Sequence, residues 1–129
     1  MCLLAADLAK GWRAGDVVLL SGPLGAGKTT FCRCVLASLG WRGIVRSPTF
    51  TLVNLYETEP AAAHVDLYRV EAAVGLGLEE VLDERLCLIE WPDRLQGLVD
   101  VRRCWRIAIE FGTSDDERLV EVLPPSVLG

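Results

Sequence analysis

The sequence predicts a three-layer α/β domain built on a mixed, mainly parallel central sheet, and three observations predict it. The apolar run Val17 to Leu20 leads into the glycine-rich stretch "SGPLGAGKTT", which is followed by "FCRCVLASLG" at helical spacing: a strand, a loop and a helix in series. Further short apolar runs, "AHVDLYRV" and "LCLIEWP", alternate with segments of helical or broken pattern. Near the end, "WRIAIEF" and "RLVEVLP" flank "GTSDDE" and read as an antiparallel hairpin, which makes the sheet mixed.

In chain order, Leu4, Leu8 and Trp12 recur at helical spacing before Gly15 and predict an opening helix. A strand over 17–21 and a helix over 28–39 follow, with Gly40 placed to cap the helix at its C-terminus. The stretch "GIVRSPTFTLVNLYE" reads as extended chain interrupted at "SPT", and "AHVDLYRV" as another strand. Residues 69–85 carry a helical pattern that Gly75 and Gly77 break, and "LCLIEWP" reads as a buried strand stopped by Pro92. Nothing in the pattern suggests a repeat or a low-complexity linker, so residues 1–129 are expected to form a single domain.

Composition narrows the function. The apolar share is 51%, yet the uninterrupted apolar runs are far shorter than the roughly 20 residues that span a bilayer. With no basic-then-apolar leader at the start, a cytoplasmic protein that does not use the membrane is expected. A net charge of −5 argues against autonomous nucleic-acid binding, which needs a basic face to replace counterions. Arg102, Arg103 and Arg106 form the one dense basic cluster and read as a solvated strand edge. Of the five cysteines none forms a C-x-x-C pair; Cys32 and Cys34 sit on different faces of a helix and read as reduced, mostly buried thiols. His64 is the single histidine, which disfavours a Cys/His zinc site and favours a packed or hydrogen-bonded strand histidine.

The spacing Gly22-x-x-x-x-Gly27-Lys28-Thr29 is that of a phosphate-binding loop, and its strand–loop–helix setting is the one such a loop requires. Backbone N–H groups can surround a triphosphate only where no Cβ blocks the approach, which accounts for Gly22, Gly25 and Gly27. The helix that follows directs its positive end at the phosphates. The expected nucleotide contacts run from Leu24 through Gly25, Ala26, Gly27, Lys28 and Thr29 to Thr30. Lys28 would neutralise the β- and γ-phosphate oxygens, the Thr29 hydroxyl would take a position on Mg²⁺, and Thr30 would donate to the α-phosphate. The fold is therefore expected to be P-loop NTPase-like, with ATP and Mg²⁺ as its ligands.

Such a loop needs a carboxylate on a neighbouring strand to hold the metal or its water shell. Glu90 ends four apolar residues in "LCLIEW" and should emerge at the sheet's carboxyl edge, where ligands bind in open α/β sheets; Asp66 in "AHVDLYR" is the second candidate. Which of the two touches the metal is open at this level, and either could instead be one half of a structural ion pair. In "RSPTFT", Pro48 keeps Ser47 out of helical geometry and Thr49 offers a hydroxyl in the place of a γ-phosphate-sensing switch segment, or of a simple turn.

Taken together, "SGPLGAGKTTFCR", "VRSPTFTLVNLY", "HVDLYRV", "LGLEEVL" and "LIEWPDRL", in this order and at these separations, resemble the TsaE family, over roughly residues 8–111. That resemblance implies a Mg²⁺-dependent ATPase of bacterial tRNA threonylcarbamoyladenosine synthesis. It would work with, and be stimulated by, the TsaB and TsaD proteins, and reach tRNA only through them. It also implies that Lys28 and Thr29 contact phosphate and magnesium, that Thr49 belongs to the switch segment, that Asp66 is the acid near the phosphates, and that Glu90 is a metal-side carboxylate with Trp91 beside it. The chain departs from the family pattern at Pro23, where an acid is usual. Two rivals remain: a small-molecule P-loop kinase, in which "DLYR" would be an acid–arginine pair, and a nucleotide-gated adaptor that does not hydrolyse.

Overall fold

The computed structural model describes residues 1–45, 52–68, 77–95 and 97–126. Its elements in chain order are α1 (Cys2–Ala9), β1 (Val17–Ser21), α2 (Lys28–Ser38), β2 (Val53–Tyr56), β3 (Ala62–Asp66), α3 (Leu78–Glu84), β4 (Leu86–Glu90), β5 (Trp105–Phe111) and β6 (Arg118–Leu123), with short 3₁₀ turns at Pro92–Leu95 and Val101–Arg103. The six strands make one sheet in the order β2-β3-β4-β1-β5-β6. The β1–β4, β1–β5 and β3–β4 pairs are parallel, whereas β2–β3 and β5–β6 are antiparallel. This is the mixed, mainly parallel sheet expected from the sequence.

Period-2 alternation divides the strands between two faces. On one face Val18, Leu20, Ala62, Leu86, Leu88 and Ile107 pack against Ala5 and Ala9 of α1 and Phe31, Cys32, Val35 and Leu36 of α2. On the other, Val17, Leu19, Ala63, Val65, Cys87 and Ile89 pack under Leu78 of α3 and Leu95 of the 3₁₀ turn. Helices on one side, sheet, then α3 and the turns on the other give the three layers. β1 and β4 are buried at every position up to their carboxyl ends, which is why they read as unbroken apolar runs.

Several expectations are refined. α1 ends at Ala9 rather than continuing to Trp12, because the chain turns there, with Gly11 N–H bonded to Leu8 O and Trp12 N–H to Ala9 O. Trp12 is still buried, edge-on to Trp105 at 5.8 Å between ring centroids. α2 stops at Ser38, and Gly40 follows at φ +103°, a left-handed conformation that suits glycine. The helical pattern of 69–85 is realised as α3 over Leu78–Glu84, and residues 69–76 lie outside the described residues. β4 already ends at Glu90, and Pro92 opens a 3₁₀ turn instead of merely stopping a strand.

Two expectations are corrected. Cys2 and Cys34 are disulfide-bonded, with Cα atoms 5.0 Å apart, because α1 packs along α2; only Cys32, Cys87 and Cys104 are free, and all three are buried. The arginine cluster is not a strand edge, since β5 lies inside the sheet between β1 and β6. Arg102 and Arg103 stand on the exposed Val101–Arg103 turn and pair with Asp100, while Arg106 alone is on β5. Among the described residues no helix is long and apolar enough to cross a membrane.

Candidate functional site

Parallel pairing brings the carboxyl ends of β1, β3 and β4 to one edge of the sheet. In register, Leu20 lies beside Glu90, and Glu90 beside Asp66, so the loop that leaves β1 and both candidate carboxylates meet there. The sequence placed these residues at strand ends; the parallel registry puts the ends together.

The loop itself is set by glycine. Gly22 has φ +142°, and a Cβ there would collide with the Ile109 carbonyl oxygen of β5. Gly22→Ala is therefore expected to lower stability by about 1–3 kcal/mol, read as a lower denaturant midpoint at unchanged slope. An unchanged midpoint would contradict the close approach of loop and β5. Gly27, at φ +114°, is the N-cap of α2, and no side chain caps that helix end. The positive end of the helix is left for a ligand. Arg118 of β6 steadies the loop from the far side, its Nε donating to Ala26 O at 3.0 Å while its guanidinium lies 4.8 Å over the Phe111 ring.

A cleft of about 220 Å³ opens over the loop, lined by Leu24, Gly25, Gly27, Lys28, Thr29 and Thr30, and closed by Asp66, Tyr68, Glu90 and Trp91. Of the expected nucleotide contacts, Ala26 stands apart: its methyl group is buried in the core and its N–H bonds to Pro23 O, so it shapes the loop from below. Thr49 lies outside the described residues.

The buried polar and charged side chains among the described residues are Lys28, His64 and Glu90, and all three belong to this site. Charged groups are seldom buried unless partnered, so their concentration at one sheet edge marks it as built for more than packing. Lys28 Nζ donates to Gly22 O and, at 3.2 Å, to Pro23 O, and it lies 3.9 Å from the centroid of the Trp91 ring. Burial lowers its pKa, while the Glu90 and Asp66 charges hold it up. Thr29 Oγ1 donates to Glu90 at 3.0 Å to Oε2 and 3.3 Å to Oε1. His64 Nε2 meets Glu90 Oε2 at 2.5 Å. Asp66 is half-buried and accepts from Tyr68 N–H at 3.0 Å; burial pushes its carboxyl above the usual range, against the pull of that hydrogen bond.

Trp91 has φ +63°, a left-handed conformation that a bulky residue adopts only under constraint. The turn swings its ring away from the strand direction, over Lys28 and against Tyr68, at 4.8 Å between centroids. Sequence reasoning named Trp91 only as a neighbour of Glu90, and it missed Tyr68 and Arg118; His64 is the packed, hydrogen-bonded strand histidine it expected, with Glu90 as the partner it did not name. Alternation held a signal for His64: Ala62, His64 and Asp66 share a strand face, as do Leu86, Leu88 and Glu90.

A glycine-shaped loop, an uncapped helix N-terminus, a lysine and a hydroxyl-plus-carboxylate pair fit a nucleoside polyphosphate with Mg²⁺, an oxygen-seeking ion. With the parallel sheet beneath them, these features define a P-loop NTPase-like protein. The family model for "Threonylcarbamoyl adenosine biosynthesis protein TsaE" matches residues 1–120. The tRNA threonylcarbamoyladenosine biosynthesis protein TsaE of Streptomyces coelicolor is 38% identical over 88% of this chain and 82% of its own length. Its Haemophilus influenzae counterpart is 36% identical over 88% of this chain and 73% of its own, and that of Rickettsia felis is 43% identical over 74% and 59%. The crystal structure of Bacillus subtilis YdiB superposes with a TM-score of 0.77 at 33% identity, covering 92% of this chain and 74% of that one. The chain belongs to the TsaE family of tRNA threonylcarbamoyladenosine biosynthesis proteins.

Proposed function

We propose that this protein binds Mg²⁺·ATP in the cleft over residues 22–30, hydrolyses the γ-phosphate to water, and does so as the ATP-using component that acts with TsaB and TsaD in threonylcarbamoyladenosine formation. The observation that carries the reading is the meeting of Thr29, Glu90 and Asp66 at the mouth of the phosphate loop. Family membership supports the pathway, and the net charge of −5 supports an indirect route to tRNA, because an acidic surface cannot release the phosphate-bound counterions that drive RNA binding.

The residues divide the work by their chemistry. Bound magnesium supplies charge neutralisation on the phosphate oxygens. The N–H groups of the loop and the N-terminus of α2 hold the phosphates in place. Lys28, released from Gly22 O and Pro23 O, donates hydrogen bonds to the β- and γ-phosphate oxygens and offsets their charge, and Trp91 guides it from the side. Thr29 and Glu90, already joined through their oxygens, would hold the magnesium. Asp66, at the rim, accepts a hydrogen bond from the attacking water and aligns it. Thr49 enters only through the family resemblance, as part of the segment that senses the γ-phosphate.

The test is phosphate release from ATP in water, with nucleosides and small alcohols offered as competing acceptors. Magnesium-dependent release of inorganic phosphate, unaltered by the acceptors, is the expected result. Transfer of the phosphoryl group to an acceptor would make the protein a kinase, and no release at all would make it an adaptor.

A further inference from the structure

One turn beyond Thr29 on α2, Cys32 faces the sheet without exposure and meets the buried polar groups of the strands beneath. A ligand atom of Cys32, one of His64 and one of Glu90 lie within 4.8 Å of one another, each from a buried side chain and each on a different element. His64 Nε2 contacts Glu90 Oε2, and His64 Nδ1, also buried, has no hydrogen-bond partner. The phosphate site does not account for the thiol in this cluster: sulfur is a poor partner for Mg²⁺, which takes oxygen ligands. Thiolate, imidazole and carboxylate together are the donor set of Zn²⁺ and its thiophilic neighbours, three protein ligands with a fourth position left open.

We propose that Cys32, His64 and Glu90 form a binding site for a thiophilic divalent cation of the Zn²⁺ class, and that filling it draws Glu90 away from Thr29. Metal–ligand bonds of about 2.0–2.3 Å set neighbouring tetrahedral ligands roughly 3.3–3.8 Å apart. The cluster reaches that spacing by shifts of about 1 Å, opening the His64–Glu90 contact and drawing Cys32 in. As the sulfur–metal bond forms, the thiol proton leaves to solvent, and lone pairs from an imidazole nitrogen and a carboxylate oxygen complete the protein's share. Glu90 lines the cleft with Thr29 and Asp66, so the cleft is the ion's way in. Asp66, in register with Glu90, adds negative charge that favours a cation there; Lys28 opposes it. The consequence is local: the Thr29–Glu90 hydrogen bond opens, and the oxygen pair at the phosphate loop is dismantled.

The test titrates the full chain, metal-free and with the Cys2–Cys34 bridge intact, with Co²⁺ as a spectroscopic substitute. A thiolate-to-cobalt charge-transfer band that saturates at one equivalent is expected. It should persist in the Cys87→Ser/Cys104→Ser variant and disappear in both Cys32→Ser and Cys32→Ala. On the wild-type chain loaded with Zn²⁺, X-ray absorption should show a single sulfur at about 2.3 Å, a readout that needs no variant. No charge-transfer band in the wild type, a band that survives the Cys32 substitutions, or a zinc edge without sulfur would overturn the site. None of these readouts uses a nucleotide, so the metal site and the ATPase reading can fail separately.

Discussion

Lys28→Ala is expected to reduce ATP turnover by about 10²–10³-fold, the range seen when one charge-stabilising donor is removed from a reacting centre. The size follows from burial. Lys28 is 5% exposed, its pKa is pulled down by that burial, and it sits beside Glu90 and Asp66, so its charge acts where water screens it less than at the surface. Among the described residues it is also the single basic side chain lining the cleft. Nucleotide affinity should fall as well, since on this proposal the same ammonium would contact the ground-state phosphates. Circular dichroism on the variant separates lost chemistry from lost fold. Turnover within a few-fold of wild type, with fold retained, would mean that the phosphates are held elsewhere.

Glu90 and Asp66 should fail in different ways, although they are register partners at one sheet edge. Glu90 accepts from Thr29 and from His64, both of which orient it. Glu90→Gln removes the charge that the Thr29 hydroxyl uses and that the proposed metal would share, and should raise the Mg²⁺ concentration for half-maximal activity by about 10–100-fold. Asp66 is half-buried at the rim and its side chain accepts from one backbone N–H, which leaves acceptor capacity for a water. Asp66→Asn should leave the Mg²⁺ midpoint in place and lower turnover at saturating metal by about 10²–10⁴-fold, the range for a general base. Magnesium titrations of the two variants decide the matter. Superimposable curves would refute the division of roles.

What could be read from the sequence was local. The phosphate loop was legible because strand, glycines, lysine and helix lie within a single short stretch, each step constrained by its neighbours. Glu90 and Asp66 were legible as acids ending apolar runs. That Glu90 serves Thr29 required the parallel registry of β1 with β4, which no local pattern specifies. The His64 contact likewise depends on β3 lying beside β4, and the hold of Arg118 on Ala26 spans 92 residues of chain. The disulfide was misread because the pairing of Cys2 with Cys34 is a product of α1 packing on α2, not of spacing. The arginines were misread because only Arg106 falls on β5, while Arg102 and Arg103 stand on the turn before it and pair with Asp100. Trp91 could not have been placed at all: its ring reaches Lys28 only because its own backbone is left-handed.

The site geometry makes one demand on any partner that uses this protein's ATP. Lys28 is turned back on Gly22 and Pro23, with the Trp91 ring over it and Tyr68 against that ring, so a nucleotide that drew Lys28 to its phosphates would rearrange the exposed rim of the cleft. A partner that recognises the rearranged rim must, by linkage, tighten ATP binding by the same factor by which ATP tightens the partner's. The most direct measurement combines association of the purified chain with TsaB and TsaD and release of phosphate, each followed with ATP, ADP and a non-hydrolysable ATP analogue. The account predicts that the three proteins associate more tightly with ATP or the analogue than with ADP, and that phosphate release is slow for the chain alone and faster with both partners. Equal association under all three nucleotides, with phosphate release unchanged by the partners, would contradict it.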